Sequence, residues 1–330
     1  MDIAAFKRRF DRELGRFLDR KMKEMNGLTR DPYILGMARH ARVLAMEGGK
    51  RIRPYLAYVT YKTAGGKGER VLDAMVGLEL FHTFALVHDD IMDRGMKRHG
   101  VATANRLYGD AQAILVGDLL FNWASEIIAP TKGQPIFAKM VDEVILGQML
   151  DVDAIRREKV TDAFIDDKMR LKTASYSFIR PMQFGAALAH TSPNPSSGRR
   201  GRGGDRMFLF CEDFGLPLGL AFQIQDDLLD LTASSKKLGK SAFNDVKEGQ
   251  KTVFTQYASR KPANRVLLNK MKGKDLDEYD RKRIKHMFEE SGAIEYGRKM
   301  MEKHFAEAEK AAQGKKRFLE IVQYIRLRTK

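Results

Sequence analysis

Residues 71–93 read VLDAMVGLELFHTFALVHDDIMD. A helix drawn through Val71 to Met92 is apolar on nearly every side, so the stretch is predicted as one long helix buried in a core. It runs into Asp89-Asp90-Ile91-Met92-Asp93. Positions i and i+4 share a helix face, so Asp89 and Asp93 stack. Like charges at that spacing cost an isolated helix on the order of 0.2–0.5 kcal/mol, and at the end of a buried helix they call for a counter-cation. Hard carboxylate oxygens suit Mg²⁺, which keeps several waters and binds through one or two carboxylates plus substrate phosphates. For one such motif alone, a solvated acidic helix face is an equally good reading.

The pattern occurs twice. Gln223-Ile224-Gln225-Asp226-Asp227-Leu228-Leu229-Asp230 also carries an apolar helix into Asp-Asp-x-x-Asp, and Asp226 stacks with Asp230. Both motifs lie in a chain with 59 Lys+Arg against 43 Asp+Glu, a net charge of +16. Facing each other across a bundle, they would hold several divalent ions around one polyanion. That describes a diphosphate site.

Outward from these motifs the chain reads as all-α. Only nine prolines occur in 330 residues. A basic amphipathic helix opens residues 3–25, with Ile3, Phe6, Phe10, Leu14, Phe17 and Leu18 on one side. Gly48-Gly49 followed by Pro54 marks a loop that opens a new helix. Further helices are predicted near 111–128, 135–151, 160–190, 206–232, 252–260, 276–290, 293–312 and 315–328. No period-two run is long enough to demand a sheet. Thr191 to Asp205, rich in Ser, Pro, Gly and Arg, reads as a loop between helices, so the whole of 1–330 is expected to be a single helical domain with a central cavity.

Composition excludes other classes. With 43% hydrophobic and 31% charged residues the chain folds. A single cysteine, Cys211, rules out an internal disulfide framework and fits a reducing compartment. The first ten residues lack an apolar core of signal-peptide length, and nowhere do 18 apolar residues run uninterrupted, so the expected location is cytoplasmic. The basic charge suggests anionic partners. Nucleic acid is set aside, because the basic residues are interspersed with acidic ones and the single Trp123 offers no stacking series.

Cations cluster in sequence around the acidic motifs. Gly48-Gly49-Lys50-Arg51-Ile52-Arg53-Pro54 sets three cations in a glycine-bounded turn entering a helix, where phosphate can be gripped. Arg98-His99 follows the first motif, and Lys172-Thr173 offers an ammonium and a hydroxyl. After the second motif come Gly239-Lys240-Ser241 and Glu248-Gly249-Gln250-Lys251-Thr252. Taken together, Gly-Gly-Lys-x-x-Arg-Pro, the two Asp-Asp-x-x-Asp motifs, Lys172 to Tyr176 and Gly-Lys-x-x-x-x-Asp resemble, over residues 45 to 255, the short-chain trans-isoprenyl diphosphate synthases of the polyprenyl synthetase family.

The resemblance implies an enzyme that condenses isopentenyl diphosphate with allylic diphosphates by ionisation, condensation and proton loss. It implies that Asp89, Asp93 and Asp226 ligate several Mg²⁺ ions, with Mn²⁺ as an alternative, supported by Asp90, Asp227 and Asp230. Arg98, Lys172, Lys240 and Lys251, with Thr173 and Gln223 nearby, would hold the allylic diphosphate. Lys50, Arg53 and His82 would hold the diphosphate of isopentenyl diphosphate, although a histidine in an apolar helix is by default a satisfied core residue. Two positions depart from the family. Arg-Arg-Gly becomes Arg98-His99-Gly100, replacing a permanent charge with an imidazole of ordinary pKa near ~6.5, and the lysine of Glu-Gly-Lys becomes Gln250.

Water must be kept from an allylic cation, so an apolar channel is expected along the helix that precedes Asp89, with Leu80, Phe81, Phe84, Ala85 and Leu86 as candidate walls. At 1.5 Å per residue, Phe84 stands ~7.5 Å and Phe81 ~12 Å along the axis from Asp89. An uninserted first motif with an aromatic five positions before it resembles archaeal-type geranylgeranyl diphosphate synthases, implying a C20 product, with C15 farnesyl diphosphate as the alternative. A class I terpene cyclase and a non-catalytic synthase subunit are the rivals, and the Asp-rich second motif with all six aspartates retained argues against both. The family also implies a homodimer. Arg199, Arg200, Arg202, Arg206 and the basic run from Lys310 to Lys330 read as solvated surface, or as weak peripheral contact with an anionic membrane.

Overall fold

The computed structural model describes residues 2–69, 71–189, 202–232 and 243–328, with the backbone alone at 202–205. Its elements are α1 (Ile3–Leu28), α2 (Pro32–Met46), α3 (Ile52–Thr63), α4 (Val71–Met92), β1 (Lys97–Arg98), β2 (Val101–Ala102), α5 (Ala104–Tyr108), α6 (Asp110–Ile128), α7 (Gln134–Arg156), α8 (Asp162–Met169), a π-helical segment (Arg170–Ile179), α9 (Arg180–Ala189) and α10 (Arg202–Thr232). Then follow α11 (Asn244–Glu248), α12 (Val253–Ala258), α13 (Pro262–Met271), α14 (Glu278–Glu290), α15 (Ala293–Ala311) and α16 (Lys316–Arg326). The all-α expectation holds. The described residues group into two compact units, Met1–Phe137 with Pro181–Gly204 and Ala138–Arg180 with Asp205–Lys330.

In the first unit α4 is the central helix, packed by α1, α2, α3 and α6. Its Leu72, Met75, Val76, Leu78, Leu80, Phe81 and Val87 are buried, as an all-round apolar helix must be. Each such side chain contributes about 1.5–3 kcal/mol by leaving water. α1 starts where Asp2 accepts a hydrogen bond from the Ala5 amide, and lays Phe6, Phe10, Leu14, Phe17 and Leu18 into the same core. In the second unit Ile165, Met169, Ile224, Phe243, Val253, Phe254, Ile284 and Phe288 form one cluster, which fixes the lower half of α10 against α8, α12 and α14. α4 and the Arg206–Thr232 part of α10 are apolar and long enough to cross a bilayer, but each has half or more of its apolar window buried in the protein, 61% and 50%.

Several elements differ from the sequence reading. α2 went unread, although Asp31 caps it through the Tyr33 and Ile34 amides and Pro32 stands in its first turn. The predicted 160–190 helix is broken in register by the π-helical segment. A two-stranded hairpin pairs Lys97 with Ala102 and Arg98 with Val101, too short for any period-two signal. α10 begins at Arg202, inside the stretch read as loop, while residues 190–201 lie outside the described residues.

Candidate active site

α4 ends in a tight reversal. The Gly95 amide bonds back to the Asp90 carbonyl (2.8 Å) and the Arg94 amide to Ile91 (3.3 Å), with Arg94 at φ 53°. This is a Schellman-type stop carried by a non-glycine residue. A hairpin follows whose two turn residues, His99 (φ 50°) and Gly100 (φ 86°), both lie in the left-handed region that a type I′ turn requires. The turn brings Arg98 onto Asp90, donating Nε to Oδ2 at 2.8 Å and Nη2 to Oδ1 at 2.7 Å. Asn105 and Thr103 fasten the Gly95 carbonyl at 3.1 and 2.7 Å. Asp90 is therefore buried and engaged, whereas Asp89 is half-buried and Asp93 exposed.

The glycine-bounded turn sits against the same hairpin. Gly48 and Gly49 have φ of 71° and 67°, and a Cβ on Gly48 would stand 2.3 Å from the His99 ring, so only glycine fits. Arg51 is the structural cation of this turn. Only 3% exposed, it donates to Asp11 (2.8 Å), Glu79 (2.7 Å) and the Met46 carbonyl (2.9 Å) and so ties α1, α2 and α4 together. Its neighbours Lys50 and Arg53 are exposed and half-buried. Gly49, Arg51, His82, Asp90, Arg98 and His99 line one pocket. Arg98 thus shares a pocket with His82, the residue assigned to the isopentenyl diphosphate. Burial, then Arg53, Arg98 and Arg51, hold His82 well below the usual histidine range, so it enters this pocket as a neutral imidazole. Burial, then Arg98 and Arg51, lower His99 as well.

Further back along α4, Phe84 is half-buried and Phe81 fully buried. Phe81 packs on Phe84 (5.4 Å), Phe121 (5.9 Å) and Phe137 (5.1 Å), and Phe84 on Phe121 at 5.2 Å. Phe84 is the outer member of an aromatic cluster that Phe81 backs. Leu80 is core, while Ala85 and Leu86 are half-buried.

In the second unit Lys172 and Thr173 lie in the π-helical segment. α7 and α10 approach its backbone so closely that a Cβ on Gly147 would stand 2.5 Å from the Lys172 nitrogen, and one on Gly219 would stand 2.3 Å from Ala174 Cα. Single π turns in helices concentrate at functional sites, where they re-aim side chains. Here Lys172 reaches the buried Asp151, which also takes Lys168 Nζ at 2.9 Å. Burial opposes ionisation of Asp151, but Lys168 and Lys172 prevail and hold its pKa below the ordinary value. Thr173 donates to Gln223 Oε1, and Gln223 Nε2 donates to Asp227 at 2.7 Å. Asp230 caps α11, accepting from the Asn244 and Asp245 amides at 3.1 Å each. Asp226 is 44% exposed and pairs with Arg328 Nη2 at 2.8 Å.

These acidic groups fit a hard divalent cation. Burial pushes Asp227 up to about 7, with Asp226 and Asp151 adding to the rise against Lys168 and Gln223. Burial, Asp227 and Asp230 raise Asp245 well above its ordinary value. A bound cation would relieve that crowding. Among the described residues no three acidic or histidine side chains converge into a closed metal cage. Open carboxylate pairs are the arrangement for Mg²⁺, which takes its other ligands from water and substrate phosphate.

Residues 36–290 match the family described as Polyprenyl synthetase. The chain belongs to the polyprenyl synthetase family. A short chain isoprenyl diphosphate synthase of Methanocaldococcus jannaschii is 33% identical over 256 residues, covering 76% of this chain and 72% of the relative. A geranylgeranyl diphosphate synthase of Methanosarcina mazei is 34% identical and covers 67% of each. Among solved structures, geranylgeranyl pyrophosphate synthase from Corynebacterium glutamicum, complexed with isoprenyl diphosphate and magnesium, has a TM-score of 0.87 at 25% identity, covering 100% of this chain and 99% of that one. As a polyprenyl synthetase the chain is a prenyltransferase.

Lys240 and Lys251 are the other two lysines that the resemblance assigns to the allylic diphosphate. Lys240 lies outside the described residues. Lys251 lines a cleft with Arg156, Arg265 and Lys272 that includes none of Asp226, Asp227, Lys172 or Thr173. Sequence reasoning missed Asp151, Arg328 and the aromatics Phe121 and Phe137. Of these, Asp151 alone left a signal: an acidic residue one turn beyond Gly147, at the end of the apolar run Val144 to Leu150 that only Gln148 interrupts.

Proposed function

We propose that this polyprenyl synthetase elongates allylic diphosphates with isopentenyl diphosphate to geranylgeranyl diphosphate (C20). The observation that carries the reading is the Asp90–Arg98 pair, which joins the carboxylate end of α4 to the pocket of Arg51, His82, Arg98 and His99. Residues suited to cations and residues suited to diphosphate share one rigid turn.

In this reading Asp89 and Asp93, and separately Asp226, hold Mg²⁺, with Asp227 and Asp230 supporting at the second motif. The ions supply charge stabilisation for the departing diphosphate. Lys172, held by Asp151, and Thr173, held by Gln223, donate to the allylic diphosphate oxygens as its C–O bond breaks. Lys50, Arg53, neutral His82 and His99 bind isopentenyl diphosphate and orient its double bond toward the allylic carbon. A carbon–carbon bond forms, the new cation loses one proton, and the released diphosphate accepts it. Leu86, Phe84 and their neighbours keep water from the cation. Phe84, backed by Phe81, stops the growing chain.

The remaining parts of the reading have their own supports. Homodimerisation draws on exposed apolar side chains that no described contact covers, Ile114 and Leu115 on α6 and, separately, Ile145, Leu146 and Met149 on α7; light scattering at working concentration tests it. A cytoplasmic location with weak attachment to anionic membrane draws on the basic C-terminal segment, in which α16 buries Phe318, Ile321, Val322 and Ile325 and leaves its charged face to solvent. Co-sedimentation with anionic liposomes that does not fall as salt rises removes the electrostatic attachment. The main reading is tested by incubating the enzyme with labelled isopentenyl diphosphate and each allylic diphosphate, then sizing the products.

A further inference from the structure

The second unit holds a cleft whose lining includes none of Asp226, Asp227, Lys172 or Thr173. It has a volume of about 240 Å³, far above the ~10–15 Å³ that a cavity needs to hold one water. Its rim joins the C-terminal end of α7, the Gly249–Lys251 turn and α13. Arg156, Arg157, Lys251, Arg265 and Lys272 line it against a single carboxylate, Glu158. Arg157 is taken by Asp153. The Lys272 ammonium meets the Ile155 carbonyl at 2.6 Å, a neutral acceptor that leaves its charge unbalanced. Among the described residues, Arg156, Lys251 and Arg265 make no ion pair.

Two further observations point to a missing anion. Gln250 Oε1 is buried without a hydrogen-bond partner; turning that amide over would present its NH₂ to an acceptor instead. Lys251 is held below the usual lysine range by burial and then by Lys272, against the opposing pull of Glu158; an anion between the two lysines would remove their repulsion. The cations also come from three separate elements, α7, the 249–251 turn and α13, so they surround a volume rather than form one solvated helix face.

We infer that the cleft walled by Arg156, Gln250, Lys251, Arg265 and Lys272 is a binding site for a phosphate-bearing anion, apart from the substrate site. Arginines grip phosphate oxygens in pairs and the lysines add point charges. The same chemistry is offered by a soluble diphosphate, such as the one each turnover releases, and by a phospholipid headgroup.

The test is isothermal titration of the full chain with inorganic diphosphate in EDTA, where the aspartate motifs have no cation to recruit it. The double variant Arg156→Ala/Arg265→Ala is compared with Lys172→Ala and Lys50→Ala. The inference expects the double variant to weaken diphosphate binding by roughly tenfold or more while prenyl transfer at saturating substrate and the melting temperature stay as in wild type. Lys172→Ala and Lys50→Ala should retain at least one binding event of wild-type affinity. Loss of all binding in those two variants with none in the double variant would overturn the site. So would loss of turnover in a normally folded double variant, which would make the cleft part of the substrate site. Displacement of bound diphosphate by phosphatidylglycerol vesicles, and not by phosphatidylcholine vesicles, supports the site with a headgroup as its source. Displacement by neither supports it with a soluble phosphate.

Discussion

At the end of α4, Asp90 is held by two hydrogen bonds from a guanidinium, Arg98. At the end of α10, the corresponding Asp227 is buried against an uncharged amide, Gln223, and its pKa is pushed up to about 7. The third aspartates differ too: Asp93 is exposed, while Asp230 caps α11. One sequence pattern has thus been given two local environments. The first motif arrives with its buried charge already paired and its outer carboxylates, Asp89 and Asp93, toward solvent. The second depends on a cation to carry its full charge. The middle aspartate of Asp-Asp-x-x-Asp builds the site in both cases, and the first aspartate of each faces outward.

The largest contrast is between turnover and stability. Asp89→Ala and Asp226→Ala should each lower turnover by at least ~10²-fold, the scale for losing one electrostatic stabiliser of a transition state, with Asp89→Ala melting near wild type. Asp90→Ala should instead cost about 3 kcal/mol of folding free energy, because it strands a mostly buried Arg98. Parallel melts and rate assays decide it. A normal melt for Asp90→Ala would erase the distinction between the motifs.

Next comes a pH dependence confined to the second motif. A carboxyl raised from its unfolded value to about 7 binds its proton more tightly in the folded state. Its contribution to stability is therefore present at low pH and is lost as pH climbs from about 4 toward 7. In EDTA the wild type should lose stability across that window. Asp227→Asn should flatten the loss, and Mg²⁺ with diphosphate should offset it. Identical slopes for wild type and Asp227→Asn would remove Asp227 as the source.

Phe84→Ala should release products longer than wild type by at least one isoprene unit, because the half-buried ring is the outer member of its cluster. An active variant that stops at the wild-type length would shift the wall to Phe81 or Phe121.

Smaller effects are expected at the rims. Arg328→Ala frees Asp226 of its ion pair with a buried guanidinium, so the Mg²⁺ needed for half-maximal rate should fall. His99→Arg should tighten isopentenyl diphosphate and remove whatever affinity wild type loses as pH rises. Because His99 titrates below the usual histidine range, that loss belongs on the acidic side of ~6.5. An unchanged KM in His99→Arg would mean that the ring serves the turn against Gly48 and not the substrate.

The sequence made α4, α10 and both acidic ends legible because long helical periodicity and i,i+4 carboxylates are local signals. It could not separate Arg51 from Lys50 and Arg53, since all three share one turn and only the position of Asp11 and Glu79 makes Arg51 structural. The π-helical segment was hidden because the helices packed closely against it, at Gly147 and Gly219, come from distant stretches of sequence. Asp151 grips lysines 17 and 21 residues away, and Arg328 reaches back to Asp226 from the far end of the chain. Lys251 was assigned by motif order, and only chain folding sets it beside Arg156, Arg265 and Lys272 in one cleft. Local pattern found the chemistry; tertiary placement decided which copies of a residue type take part.

The most direct test is a single assay: enzyme, Mg²⁺, labelled isopentenyl diphosphate and farnesyl diphosphate, with products sized after dephosphorylation. The account predicts incorporation of label into a C20 alcohol, abolished in Asp226→Ala. Diphosphate release without label incorporation, or without any requirement for isopentenyl diphosphate, would contradict it.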